Sequence, residues 1–326
     1  MLRFFPAPDE DRETDFEPKR FLRNLDPHYE VGGVWKPLEV KTRLPERILF
    51  VDGVRRTEFR STIFSGGRYA GEGIFISVGA GVLEVDLSGQ RPEYRLLRSE
   101  VRRFFIYHSE GPLSVPERWA VEVGERVLTF RSVFSPLPDL GKTANYLMKR
   151  LELEGARGFF GSPLLLLDGT VKTSRFYPGV AYLVKEQKNF YLEGLEEVLF
   201  DLKRGQRTPL FLFEEKTTAF RNGRFVETSV RKLACYVRLT DGWGDPTAGL
   251  ARVELPYTED RETAVKTAEA AAAAALAFAN DPLRDRRAPQ NLTTVSYLER
   301  RLRRLLGEYG LVRRAVLRLL SSNGGL

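Results

Sequence analysis

The chain has 326 residues, of which 42% are hydrophobic and 29% charged, and it carries a formal net charge of +7. This composition predicts a folded protein with a large core, and the basic balance favours a polyanion such as nucleic acid, although solubility alone would also explain it. A single cysteine, Cys235, excludes an internal disulfide and a cysteine-based zinc site, which fits a reducing cytoplasm. The only histidines, His28 and His108, argue against histidine-rich metal sites and catalytic triads.

Residues 1–45 are polar and mixed in charge, and we predict that they form an arm with one short helix around residues 20–25. The arm is expected to pack either on the body or on a partner subunit. The first residues lack the apolar core of a signal peptide. The most apolar helical stretch, residues 268–279, is too short to span a bilayer. We therefore expect a cytoplasmic protein with no membrane role.

From residue 46 the sequence becomes rich in strand-forming residues. Strands are predicted over residues 48–51, 57–64, 73–78 and 82–87, separated by glycines that suit hairpin turns, and residues 99–107 and 118–131 are partly strand. Gly66-Gly67 is read as a hairpin turn, since no helix follows it as a dinucleotide loop would require. A helix is predicted over residues 143–156, with Asp139 or Thr143 as its cap.

The second half alternates between strands and helices. Strands are predicted at residues 164–167, 180–184, 210–214, 232–239 and 250–255, and helices at 192–203, 261–279, 297–306 and 311–320. We divide the chain into the arm, a main domain over residues 46–290 and a C-terminal helical segment over 291–326, which is expected to pack on that domain. The pattern indicates an α/β fold with a mixed sheet flanked by helices.

Two apolar runs end in the same dipeptide, Asp52-Gly53 and Asp168-Gly169. Such runs are typical of buried strands, and a carboxylate at the carboxyl end of a strand lies where a sheet opens onto solvent. Two such ends on neighbouring strands would place two aspartates side by side, where their repulsion is relieved by a divalent cation. Asp-Gly is also a common turn dipeptide, so ordinary turns remain the alternative.

The helix before the second apolar run carries Glu152 and Glu154. We favour Glu152 as a third carboxylate because it lies at four-residue spacing from Met148 and Ala156. Carboxylates without histidine suit Mg²⁺ or Mn²⁺, and two such ions promote phosphodiester cleavage. Leu140-Gly141-Lys142-Thr143 is rejected as a phosphate-binding loop because Pro136 stands where the first glycine is required.

Basic side chains offer candidate contacts to a phosphate backbone. Lys185 and Lys216 follow apolar strands, where an ammonium group reaches a phosphate. Arg300 and Arg304 belong to a charged helix face that lies opposite Leu298, Leu302 and Leu305. This face is predicted either to bind DNA or to be an ordinary solvated surface.

Several segments, in this order, resemble the NurA nuclease family over roughly residues 45–305. They are Phe50-Val51-Asp52-Gly53, Leu166-Leu167-Asp168-Gly169-Thr170, Tyr182-Leu183-Val184-Lys185, Gly205-Gln206-Arg207-Thr208-Pro209 and Arg252-Val253-Glu254-Leu255-Pro256. The resemblance implies an RNase H-like core in which Asp52, Asp168 and a glutamate of the intervening helix bind metal.

The resemblance also implies Mn²⁺-dependent cleavage of DNA, by 5′ to 3′ exonuclease and single-strand endonuclease action in end resection and repair. It implies a homodimer that works with a hexameric HerA-type ATPase translocase. Archaeal members of the family carry a late histidine at the site, whereas no histidine follows His108 here. Asn291 occupies about that place and offers only a neutral ligand. Glu254 is a second candidate to replace the missing histidine ligand, although it also fits an ordinary strand residue.

Two further hypotheses follow from the sequence. The missing histidine motivates a nuclease-like adaptor that has lost catalysis and binds DNA or loads a motor. The intact carboxylates argue against it, because an abandoned site has no reason to retain repelling charges. A nuclease of the same core that acts on RNA is the third possibility.

Overall fold

The computed structural model describes residues 2–6, 20–21, 26–171, 173–185, 189–221, 224–240, 249–280 and 291–322. Its helices are α1 (Leu140–Ala156), α2 (Glu196–Asp201), α3 (Arg261–Phe278), α4 (Thr293–Leu305) and α5 (Tyr309–Ser322). The first eight strands are β1 (Leu2–Pro6), β2 (Arg20–Phe21), β3 (Leu38–Glu39), β4 (Arg47–Ser65), β5 (Arg68–Asp86), β6 (Glu93–His108), β7 (Arg118–Val123) and β8 (Arg126–Phe134). The others are β9 (Leu165–Asp168), β10 (Val180–Val184), β11 (Asn189–Phe190), β12 (Gln206–Arg207), β13 (Phe211–Arg221), β14 (Arg224–Arg238) and β15 (Leu250–Pro256).

One large mixed sheet organises these elements, and it confirms the predicted α/β class. Its strand order is β3-β12-β14-β15-β10-β9-β4-β5-β6-β8-β7, with β1 added to β4 and β13 to β14. Strands β4, β5 and β6 form an antiparallel meander. After α1 the chain returns on the other side of β4, where β9 pairs parallel to β4 and β10 parallel to β9. The first strand of the meander therefore lies at the centre of the sheet.

Helices cover both faces of the sheet, because side chains alternate along each strand. On one face, the residues of β9 and β10 that point toward α1 form a cluster with Ala156 of that helix. On the other face, their sequence neighbours pack with the alanine-rich α3 and with Leu298 and Leu302 of α4. Helix α5 covers a separate aromatic cluster around Phe75 and Phe105.

The meander differs from its prediction in the length of its strands. Residues 47–65 form one strand and residues 68–86 another, and the two are paired from Arg47–Asp86 to Ser65–Arg68. Only Gly66 and Gly67 make a turn, with φ of 59° and 80°, which confirms the hairpin predicted there. Gly79 lies inside β5 and not in a turn. A Cβ atom at this position would come 3.3 Å from the Leu306 side chain, so glycine gives that side chain room. The glycines that we expected to end strands thus allow close packing.

Three helix predictions have instructive outcomes. Helix α1 confirms the prediction for residues 143–156 and begins slightly earlier, with Asp139 accepting hydrogen bonds from the backbone N–H groups of Gly141 and Lys142. The helix predicted at residues 192–203 is wrong outside α2, because Gly194 has a φ of 81°. The arm helix is wrong at Arg20–Phe21, which pairs in parallel with β11, and residues 22–25 lie outside the described part.

Described parts of the arm and of the C-terminal segment contact the body. Strand β1 pairs with the far end of β4, and Trp35 is buried beside Phe211. Arg207 forms an ion pair with Glu30 at 2.8 Å. Among the described helices, none is both long enough and apolar enough to cross a membrane.

Candidate functional site

Asp52 and Asp168 occupy neighbouring positions on two parallel strands. The β4–β9 ladder runs in register up to the pair Val51–Leu167, so the next residue of each strand is an aspartate. Strand β9 ends at Asp168, as predicted, but the prediction that Asp52 also ends a strand is wrong. Strand β4 continues beside β5 to Ser65, because the β4–β5 ladder is uninterrupted here. Asp52 is therefore buried, and access to it opens where β9 stops.

Helix α1 brings Glu152 to Gly53, the residue after Asp52. Glu152 is buried, and its carboxylate lies over the backbone of Gly53. A Cβ atom on Gly53 would come 2.5 Å from Glu152 Oε1 and 2.9 Å from Met148 Cγ, distances that real Cβ atoms do not show. The glycine of the Asp-Gly dipeptide thus permits the approach of the helix and does not form a turn.

Lys149 joins Glu152 to Asp168, a role that the sequence did not predict. Its Nζ donates to Glu152 Oε1 and Oε2 at 3.1 and 2.9 Å, and to the main-chain oxygen of Asp168 at 3.0 Å. Burial lowers the pKa of Lys149, but the charges of Glu152 and Asp168 outweigh this and raise it above its ordinary value. The three-residue spacing of Lys149 and Glu152 on one helix was the available signal.

Lys185 binds Asp168 from the other side. Its Nζ lies 2.7 Å from Asp168 Oδ1 and donates to Asn291 Oδ1 at 3.4 Å. Burial lowers the pKa of Lys185, but the charges of Asp168 and Asp52 outweigh this effect and raise the pKa above its ordinary value. Lys185 therefore keeps its ammonium group. Lys185, predicted to bind phosphate, therefore lies at the carboxylate site, and Asn291 lies beside it.

The electrostatics of the site are dominated by burial and mutual repulsion of the acids. Burial raises the pKa of Asp52 well above its usual range, and the charge of Asp168 raises it further against the opposing effect of Lys185. Burial likewise raises the pKa of Glu152 to about 7, although Lys149 opposes the shift. Both carboxylates are costly in their charged form, which is typical of functional sites.

The donor atoms suit a hard divalent cation. Asp52 Oδ2 is buried and has no hydrogen-bond partner among the described residues. An oxygen that is deprived of water and repelled by a second carboxylate gains most from a bound cation. In the described part of the chain, however, no group of three His, Cys, Asp or Glu side chains is arranged to hold a metal. Glu152 and Asp168 are each engaged by a lysine. The residue types present are those that bind Mg²⁺ or Mn²⁺, but such a cation would have to displace these ammonium groups.

Two other glutamates considered from the sequence lie elsewhere. Glu154 accepts from Arg102 and Arg150, each at 2.8 Å, away from Asp52. Glu254 is fully buried and binds Arg252 at 2.7 Å and Lys232 at 3.3 Å. Its Oε2 also accepts from the backbone N–H of Val171 at 3.0 Å, which holds the loop after Asp168. Glu254 is therefore committed to a buried ion network.

The remaining predicted DNA-binding residues lie outside this constellation. Lys216 is exposed on β13, opposite Ser229, and β14, β15 and β10 stand between β13 and β9. Arg300 and Arg304 are exposed on α4, as predicted. The apolar face of α4 differs slightly from its prediction, because Leu305 is largely exposed and Leu306 is buried with Leu298 and Leu302.

No protein-family model matches the chain, and no curated protein matches it. The functional interpretation therefore depends on the site just described and on the motifs that carry the resemblance.

Proposed function

We propose that the chain is a metal-dependent DNA nuclease of NurA type that hydrolyses phosphodiester bonds at Asp52, Glu152 and Asp168. The observation that carries the proposal is the side-by-side register of Asp52 and Asp168 on neighbouring strands, with Glu152 packed against Gly53 and one buried oxygen of Asp52 without a hydrogen-bond partner among the described residues. Two acids whose pKa values burial raises are retained at a cost in stability, and cation binding explains that cost.

The proposed RNase H-like description of the core is supported by its topology. The order β6-β5-β4-β9-β10 combines an antiparallel meander with parallel strands on the far side of the first strand. Helix α1 joins the two parts and carries Glu152. The carboxylates therefore come from the central strand, the following helix and the next strand.

In the proposed mechanism, Asp52, Asp168 and Glu152 would hold Mn²⁺ or Mg²⁺, which activates water and stabilises the departing oxygen when bound. Lys185 orients Asp168 through its ammonium group, and Lys149 orients Glu152. Asn291 lies close enough to Lys185 to serve as the neutral group that replaces the late histidine. Once Lys185 and Lys149 leave their carboxylates, their ammonium groups can contact substrate phosphates.

The wider context that we propose follows the NurA resemblance. It comprises 5′ to 3′ exonuclease and single-strand endonuclease activity in DNA end resection, a homodimer and a hexameric HerA-type translocase as partner. Arg300, Arg304 and Lys216 are proposed to contact the DNA backbone. Their exposure on α4 and β13 supports this role.

The test is cleavage of end-labelled single- and double-stranded DNA by the purified chain with Mn²⁺, Mg²⁺ or chelator. We expect degradation only with metal, and its loss in Asp52→Asn and Asp168→Asn. Glu154→Gln is the matched control, because Glu154 lies on the same helix as Glu152 but pairs with Arg102 and Arg150. Full activity in both aspartate variants would refute the proposal. Parallel reactions with an RNA substrate distinguish a deoxyribonuclease from a ribonuclease.

A catalytically inactive DNA-binding adaptor is the second candidate. The observation that favours it is the engagement of Glu152 and Asp168 by lysines, which compensates these charges without a metal. An adaptor would bind DNA and stimulate the translocase, yet degrade nothing with Mn²⁺, the translocase and ATP all present. Cleavage under those conditions excludes it.

A further inference from the structure

A pocket of about 530 Å³ lies near the C-terminal end of α1, the helix that carries Glu152. It is open to solvent and is lined by Leu153 near the end of α1, Arg157 and Phe160 just after that helix, and Arg175 and Tyr177 in the connection between β9 and β10. We call it the loop cavity. Its size is that of an ordinary small-ligand site.

The loop cavity adjoins the proposed catalytic residues through the chain itself. Leu153 follows Glu152 directly in α1, and the β9–β10 connection begins at Asp168. Val171 of that connection is held by Glu254, and Gly179 N–H donates to Thr267 Oγ1 at 3.2 Å near its other end. Val171 and Gly179, which flank the described cavity residues of this connection, are therefore each hydrogen-bonded to the core.

Aromatic rings form part of the wall. The Phe160 and Tyr177 ring centroids lie 4.6 Å apart, and both side chains are half-buried. The guanidinium carbon of Arg175 lies 4.9 Å from the Tyr177 centroid. Rings held by neighbours in this way offer a surface on which a flat ligand stacks at little entropic cost.

The cavity also carries positive charge that the described residues leave uncompensated. Arg157 and Arg175 are exposed and form no ion pair with any described residue. Arg150, about two turns earlier on α1, is by contrast neutralised by Glu154 at 2.8 Å. Unpaired guanidinium groups beside stacked rings recognise a ligand that joins a phosphate to an aromatic base.

We propose that the loop cavity binds one nucleotide unit of a single-stranded nucleic acid, with its base against Tyr177 and its phosphates at Arg157 and Arg175. The proposal rests on the proposed function, since it gives the proposed nuclease a substrate-binding pocket between the helix that carries Glu152 and the connection that follows Asp168. A base inside a duplex is stacked and paired, so its face is closed to Tyr177. The pocket therefore favours a strand end or an unpaired region over intact duplex.

The test measures binding of fluorescent oligothymidylate, and of an abasic strand of equal length, to the full chain in chelator. Stacking of a base is expected to make wild type bind the thymidylate about tenfold more tightly than the abasic strand. Tyr177→Leu keeps an apolar side chain and removes the ring, so it should abolish this difference. Arg157→Gln and Arg175→Gln should each weaken the binding of both strands. Each should also reduce the slope of log Kd against log salt concentration by about 0.7.

Arg131→Gln is the control, because Arg131 is an exposed arginine of β8 outside the loop cavity. It should leave both affinities and the salt slope within error of wild type. An unchanged base preference in Tyr177→Leu, or losses in Arg131→Gln equal to those in Arg175→Gln, would overturn the proposal. Binding in chelator needs no cleavage, so a failure of the nuclease proposal is distinguished from a failure of this one. Circular dichroism and Tm confirm that each variant is folded.

Discussion

Asp168 ends its strand directly beside Asp52, whose own strand continues past it. This offset explains why one aspartate is buried and the other remains accessible at 21% of its side-chain surface. A carboxylate in the middle of a paired strand is fixed by the ladder on its other side. The buried member is thus rigidly placed, while the accessible member and its lysine partner form the mouth of the site.

The first prediction concerns Gly53, whose missing side chain admits Glu152. In Gly53→Ala the new methyl group would collide with Glu152 Oε1 and Met148 Cγ. We expect a loss of about 1–3 kcal/mol in the free energy of unfolding, as for other overpacked sites, together with weaker metal-dependent activity. Urea unfolding followed by circular dichroism measures the first effect.

Gly155→Ala provides the control within the same helix. A Cβ atom at Gly155 meets nothing within 4 Å, so alanine should stabilise α1 by about 0.5–1 kcal/mol. Equal behaviour of the two alanine variants would show that close approach at Gly53 does not position Glu152.

The second prediction concerns the pH dependence of stability. The pKa of Glu152 is raised to about 7 from 4.5, so its contribution is fully present below pH 4.5 and is lost as the pH rises through 7. At 1.36 kcal/mol per pKa unit, the loss is about 3 kcal/mol in metal-free protein. Asp52, whose pKa is also raised by burial, acts in the same direction.

Glu152→Gln should remove the part of this loss that belongs to Glu152. We expect its unfolding free energy to fall less steeply than that of wild type between pH 4.5 and 8, when both are measured in chelator. Parallel curves for wild type and variant would contradict the assigned pKa shift. Glu154→Gln is the control. The hydrogen bond to Arg150 lowers the pKa of Glu154 in the native protein, so its removal should not flatten the fall of unfolding free energy between pH 4.5 and 8.

The third prediction concerns Lys185, which neutralises Asp168 at 2.7 Å. Lys185→Met leaves the two aspartates without this charge, and we expect a loss of about 3 kcal/mol in stability without metal. Because a cation then no longer has to displace Lys185 from Asp168, Mn²⁺ should raise the Tm of Lys185→Met more than that of wild type. Differential scanning fluorimetry with and without Mn²⁺ measures both effects.

Lys216→Met is the matched control, since Lys216 is exposed on β13 and remote from β9 in the sheet. Its stability should stay within about 0.5 kcal/mol of wild type, with an unaltered response to Mn²⁺. A larger Mn²⁺ response in Lys216→Met than in Lys185→Met would show that Lys185 does not compete with the cation.

Local patterns predicted much of the sheet, but not its long-range pairing. The apolar runs before Asp52 and Asp168 are strands as expected, since burial of aliphatic residues is encoded locally. Gly79 and Gly81 lie where the sequence predicts a turn, but both are inside β5, where their missing side chains make room for leucines of the C-terminal helical segment. A sequence does not show which helix packs against a strand. That packing involves α4, more than 200 residues later in the chain.

The candidate site, like the sheet, was predicted only where local sequence patterns determine it. Helical spacing distinguished Glu152 from Glu154, and the structure places Glu152 against Gly53, the residue after Asp52, whereas Glu154 pairs with Arg102 and Arg150. The contacts that Lys149 and Lys185 make with Asp168 depend on how α1 and β10 meet β9, and only the folded chain specifies this. The location of Asn291 beside Lys185 depends likewise on the start of α4.

Metal binding is the central claim, and isothermal titration of the full chain with Mn²⁺ at pH 7.5 tests it most directly. We expect saturable binding to wild type, with release of protons because Asp52 and Glu152 must be deprotonated. Asp52→Asn should lose this binding while retaining its fold and a Tm at least equal to that of wild type. Equal Mn²⁺ affinity in the two proteins, or no binding to wild type, would contradict a metal site at Asp52.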